Sequence, residues 1–253
     1  MIGYEKFGSG PEYVLVFHGW ALDHTSFASV LPAVDGGAFT LAFVDYRGCG
    51  LSKDQSGDYT IEEIAKDAML LADNLGWNQL HLIGHSMGGM VVQWIAAHQG
   101  SRVKSVVAVT PVPACGAPQM DEAAREGMRR MAESPEGLSM FFTRGTANRH
   151  NPAWAKSTAI GSLNSNRTEA LQKYVNSWSQ TNFVQKVMGS PVPIKVLVGE
   201  YDQSITAEAM QQTILRWFAK AELEVLANAG HYPMIEIPIN FASACQKYML
   251  CHK

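Results

Sequence analysis

The apolar residues of this chain fall in short blocks that stop at glycine, proline or charge. Tyr13–Phe17 (YVLVF) runs into His18-Gly19, Thr40–Val44 (TLAFV) into Asp45-Tyr46-Arg47-Gly48, and Gln79–Ile83 (QLHLI) into Gly84. Val103–Val109 (VKSVVAV) stops before Pro111 and Pro113, and Pro193–Val198 (PIKVLV) before Gly199. Apolar runs of about four to eight residues between turn signals read as buried strands, and Leu223–Leu226 sits in a sixth. Between them the spacing becomes helical. Thr60–Leu75 starts with Thr60 and Glu63, a capping-box pair, and closes at Gly76. Met87–Gln99 reads as a helix closed by Gly100, Thr206–Lys220 as another, and Pro238 onward as a last helix with proline in its first turn. Strands that alternate with helices predict an α/β fold, with a mostly parallel central sheet and helices on both faces. Ligands of such sheets bind beyond the carboxyl ends of the strands.

One stretch breaks the alternation. Residues 114–190 contain no convincing strand and are rich in Met, Arg, Ser and Asn, with Phe141, Phe142, Trp154, Tyr174, Trp178 and Phe183 among them. Prolines flank it on both sides. It is expected to be a helical cap inserted into a core formed by residues 1–113 and 191–253. No internal repeat or low-complexity tract interrupts the chain.

Composition excludes more than it suggests. The chain has 253 residues, 47% hydrophobic and 17% charged, with net charge -3. That suits a globular enzyme and lacks the basic stripe of a nucleic-acid binder. No apolar run is long enough for a bilayer. Met1–Gly10 has neither the charged start nor the apolar stretch of an export signal, so a cytoplasmic location is expected. Cys49, Cys115, Cys245 and Cys251 lack metal-type spacing and read as reduced thiols.

The strongest local signal is Gly84-His85-Ser86-Met87-Gly88, a G-x-S-x-G between a strand and a helix. A serine nucleophile needs a sharp strand-to-helix turn to present its hydroxyl, with small residues around it. It also gains from the helix N-terminus, which favours developing negative charge. Serine needs a neighbouring base. Of eight histidines, His231 follows the sixth strand and therefore stands at the carboxyl edge near Ser86. His85 should point away from the serine hydroxyl, and His18 should support its own loop. His24, His81, His98, His150 and His252 read as surface or structural histidines; the His81/His85 spacing suggests no metal pair. The histidine needs an acid to fix its tautomer. Asp202 follows the fifth strand, with Glu200 as competitor, and no acid follows the fourth. Two backbone N–H groups must receive the oxyanion. Met87, after the nucleophile, and Trp20, in the turn after the first strand, are the candidates, and the Trp20 ring can line the pocket as well.

These pieces, together with Asp45-Tyr46-Arg47-Gly48-Cys49-Gly50-Leu51-Ser52, Gly199-Glu200-Tyr201-Asp202 and Gly230-His231-Tyr232-Pro233, make the sequence resemble a small, capped member of the α/β-hydrolase fold family. The order Ser86, Asp202, His231 matches that family. The resemblance implies a serine esterase without cofactor or metal, acting on small or medium, largely apolar carboxylic esters through an acyl-enzyme on Ser86. The same motifs serve enol-lactonases, pimeloyl-ester esterases, carbon–carbon bond hydrolases, perhydrolases and hormone receptors with slow hydrolysis. Lactone or carbon–carbon hydrolysis, and a ligand sensor that stalls after one turnover, therefore remain open. The partner expected is a small-molecule ester or lactone, neither nucleic acid nor membrane, with a homodimer left open. The resemblance gives the Asp45–Ser52 loop a structural role, with substrate binding by Arg47 as the lesser reading. The short segment before the first clear strand suggests that the sheet has lost its first antiparallel strand.

Overall fold

The computed structural model describes residues 1–253. Seven strands form one sheet: β1 (Tyr4–Gly8), β2 (Glu12–Phe17), β3 (Phe39–Val44), β4 (Leu80–His85), β5 (Val103–Val109), β6 (Ile194–Gly199) and β7 (Ala221–Leu226). Their order across the sheet is β1-β3-β2-β4-β5-β6-β7. Every neighbouring pair is parallel except β1 with β3. All six residues of β3 and of β4 are buried, as a strand covered on both faces requires.

The antiparallel first strand is therefore present, which corrects the expectation drawn from the short N-terminal segment. Tyr4–Gly8 escaped sequence reading because it is a sheet edge. Glu5 and Lys6 are exposed, and only one side of its backbone is paired.

Helices α1 (Ile61–Asn74) and α2 (Met87–Gln99) follow β3 and β4. The cap of α1 is as predicted on one side: Thr60 Oγ1 accepts from Glu63 N at 3.1 Å. The Glu63 carboxylate reaches further back than a capping box demands, to the N–H groups of Tyr59 and Asp58. Between β5 and β6 there is no strand. Five helices stand there instead: α3 (Glu122–Met131), α4 (Pro135–Gly145), α5 (Pro152–Ser165), α6 (Thr168–Gln180) and the short α7 (Val184–Val187). Several of their groups bond to the rest of the chain, among them Tyr174 Oη to Arg47 O and Ser177 Oγ to Ile61 N.

The single helix expected over Thr206–Lys220 is two short ones, α8 (Ala207–Gln212) and α9 (Ile214–Trp217). Thr213 leaves the helical region at φ -122°, ψ -97°. Its hydroxyl bonds back to Ala209 O at 2.7 Å, a local alternative to the helical ladder. The chain ends with α10 (Pro233–Glu236) and α11 (Pro238–Leu250), proline opening each.

Besides His231, three histidines are buried: His18, His81 and His85. His81 accepts from Ser105 Oγ and donates to Glu12, and burial pushes its pKa down to about 4. Burial also lowers His18 and His85. All three bind a proton less readily in the fold than in the unfolded chain, where histidine titrates near pH ~6.5. Below that pH the unfolded chain binds protons that the folded chain refuses, so acid favours unfolding. His24, raised by its hydrogen bond to Asp45, acts the other way, but it is one group against three. The thermal midpoint is expected to fall steadily between about pH 6.5 and pH 4, and a flat or rising midpoint would refute this account.

Candidate active site

The site grows from the end of β4. Ser86 sits between strand and helix with φ 52° and ψ -113°, a strained conformation for a residue with a side chain. The backbone can turn this sharply because Gly84 and Gly88 meet there. A Cβ on Gly84 would lie 2.2 Å from Gly88 O. The turn lifts the serine hydroxyl above the sheet, as the G-x-S-x-G spacing predicted.

His231 Nε2 lies 3.0 Å from Ser86 Oγ, and His231 Nδ1 lies 2.6 Å from Asp202 Oδ2. The second carboxylate oxygen, Oδ1, accepts from Ser204 N at 2.9 Å and Ile205 N at 3.0 Å. Burial alone would raise the Asp202 pKa. The imidazole charge, its hydrogen bond and the two N–H donors outweigh burial and hold it below the usual range. Asp202 is therefore an anion with both oxygens committed. The three residues singled out from sequence come together in one hydrogen-bonded chain. Glu200, the competitor, is exposed and accepts from Asn228 N at 3.0 Å instead.

Met87 opens α2, so its N–H has no helical acceptor. Neither Met87 N nor Trp20 N bonds to any acceptor of the protein. The Trp20 ring donates from Nε1 to Leu171 O at 2.8 Å and meets Phe141 edge-on at 4.9 Å. Gly19 lets this turn approach the serine: a Cβ there would lie 2.5 Å from His85 Nδ1.

The backbone of His231 is held on every side. Its N–H donates to Gly145 O at 2.8 Å, and its carbonyl accepts from His85 Nε2 at 2.8 Å and Thr110 Oγ1 at 3.1 Å. Glu236 completes the clamp. Its Oε1 accepts from Gly230 N at 2.9 Å and Tyr232 N at 3.1 Å, the two N–H groups flanking His231. Its Oε2 meets Arg149 at 3.0 Å and His150 at 2.9 Å. Glu236, Thr110 and the Gly145 carbonyl were not anticipated. The nearest sequence signal is the acid that follows His231 by five residues, just before Pro238.

The remaining candidates go elsewhere. Asp45 is fully buried and accepts from His24 N, His24 Nδ1 and Leu51 N, which braces its loop. Arg47 pairs with Asp67 at 2.7 Å and does not line the site. His18 stacks on Tyr46 at 3.9 Å.

Above Ser86 lies a cavity of about 720 Å³. Trp20, Met87 and His231 contribute to its floor, and Met120, Met128, Met131, Phe141 and Trp178 come from the helical stretch between β5 and β6. The lining is mixed: apolar side chains make up just over half of it, and Gln119, Arg144, Gln203, Ser204 and Thr213 add polar groups.

The fold and this site define an α/β hydrolase. A family model described as alpha/beta hydrolase fold matches residues 12–238, and the chain belongs to that family of hydrolases. It is 24% identical over 251 residues to 3-oxoadipate enol-lactonase 2 of Acinetobacter baylyi, covering 98% of this chain and 92% of that one. It is likewise 24% identical over 249 residues to pimeloyl-[acyl-carrier protein] methyl ester esterase of Klebsiella pneumoniae, covering 95% and 94%. The crystal structure of a bromoperoxidase from Bacillus anthracis matches with a TM-score of 0.87, covering 98% of this chain and 94% of that one at 20% identity, a likeness of fold.

Proposed function

We propose that this protein is a serine hydrolase that cleaves carboxylic esters of small or medium, largely apolar substrates. The observation that carries this reading is the chain Ser86 Oγ–His231 Nε2 and His231 Nδ1–Asp202 Oδ2, at 3.0 Å and 2.6 Å. Ser86 Oγ attacks the ester carbonyl carbon while its proton passes to His231 Nε2. The carbonyl electron pair moves onto oxygen, and the N–H groups of Trp20 and Met87 receive the oxyanion. On collapse the bond to the alcohol oxygen breaks, and His231 returns its proton to that leaving group. Water then attacks the acyl-enzyme, gives its proton to His231, and Ser86 leaves with it. Asp202 holds the Nδ1 proton throughout and stabilises the imidazolium. In this reading residues 114–190 act as the cap, whose methionines and aromatics exclude water from the acyl group. The likeness to an enol-lactonase supports a cyclic ester as a second substrate form, opened by the same steps.

The test is steady-state turnover on p-nitrophenyl esters of rising acyl length. Many turnovers per protein molecule, with a maximum at short or medium chains, are expected. A single burst equal to the protein concentration would replace the enzyme reading by that of a ligand sensor.

A further inference from the structure

The cavity above Ser86 carries one fixed charge. Among its lining residues Arg144 is the only lysine or arginine, and there is no aspartate or glutamate. Every other arginine of the chain except Arg216 faces a carboxylate, and Arg216 does not line the cavity. The Arg144 side chain has no acidic partner and no hydrogen bond within the protein, and the residue is exposed while lining the cavity. It lies on the last turn of α4, three residues after Phe141 and one before Gly145. Helical spacing puts Phe141, Arg144 and Gly145 toward one side. Phe141 lies against Trp20, and Gly145 O holds the His231 N–H. The guanidinium therefore shares the cavity with the reacting serine. The wall also holds two buried donors without acceptors, Trp178 Nε1 and Tyr232 Oη. A wall with spare donors, one spare cation and no anion is complementary to a ligand rich in acceptors and negatively charged.

We propose that Arg144 forms an anion subsite, and that the ester cleaved at Ser86 carries a second, negatively charged carboxylate group beyond an apolar spacer. This rests on the ester-hydrolase reading and narrows its substrate to half-esters of dicarboxylic acids. The spacer lies along the methionines and Phe141, and the carboxylate reaches the guanidinium fork in a bidentate pair.

The experiment separates binding from chemistry. Monomethyl adipate and methyl hexanoate differ only in a carboxylate against a methyl group. Their affinities are measured by calorimetry on Ser86→Ala and on Ser86→Ala/Arg144→Met. On Ser86→Ala the half-ester is expected to bind about tenfold more tightly than the neutral ester, a preference that weakens with added salt. In the double variant the two should bind alike. A basic residue in a last helical turn also offsets the helix dipole, but that role would shift stability without changing the ratio of the two affinities. Equal binding of both esters to Ser86→Ala, or a preference that survives Arg144→Met, overturns the anion subsite even if the wild type hydrolyses both. If the preference holds while the wild type turns over neither ester, the subsite stands and the esterase reading falls.

Discussion

Ser86→Ala is expected to lower kcat on any ester substrate by about 10⁴- to 10⁶-fold while leaving the fold in place. Removing a serine nucleophile from a working serine–histidine–acid unit costs this much, because histidine, acid and oxyanion donors lose the group they act through. Stability should stay within about 0.5 kcal/mol. The Ser86 hydroxyl makes one hydrogen bond, with His231 Nε2. The strain at φ 52° belongs to the backbone and persists in alanine. The two halves of this expectation are checked together, by single-turnover kinetics and by the thermal midpoint. Activity within tenfold of wild type would remove Ser86 from the chemistry.

The second large effect is expected at Asp202→Asn, a loss of about 10⁴-fold in kcat, or about 5.5 kcal/mol of barrier. The orientation of the new amide is fixed by the loop. Ser204 N and Ile205 N both donate to Oδ1, so the asparagine oxygen must stay there. Its NH₂ then faces His231 Nδ1 and needs an acceptor. The imidazole is driven to the tautomer protonated at Nε2, which cannot take the Ser86 proton. The same geometry predicts an intact fold, since every N–H of the loop keeps its acceptor. The ring tautomer can be read from ¹⁵N chemical shifts of His231. An Nδ1-protonated ring with the rate still lost would place the role of Asp202 in charge stabilisation alone.

Glu236 shows how the chain beyond the reacting groups enters this picture. The acid clamps the peptide groups on both sides of His231 and is itself gripped by Arg149 and His150 from the stretch after α4. The Gly145 carbonyl grips His231 directly. The placement of the histidine is thus tied to the same helical stretch that walls the cavity.

Much of this was legible in the residue pattern. The five inner strands announced themselves because each side of a covered parallel sheet is apolar, so the blocks are continuous. The turn at Ser86, its histidine and its acid were legible because each must follow a strand at the carboxyl edge, and turn residues mark those points. The edge strand Tyr4–Gly8 was not, because a half-solvated strand keeps its polar residues and loses the apolar signal. The break at Thr213 was hidden too, since a hydroxyl bonding to its own chain leaves the helical spacing intact around it.

The sequence by itself determined the α/β alternation, the strained serine turn and the order of serine, acid and base. Local spacing encodes these, through backbone sterics and the period of apolar positions. Tertiary structure alone decided which groups hold His231, that Arg47 is spent on Asp67, and that Arg144 is left without a partner at the cavity. Those facts concern residues such as Gly145 and His231, or Arg149 and Glu236, that lie 86 or 87 positions apart. Contacts at such separation are set by how helices pack over the sheet, and no periodicity along the chain records them.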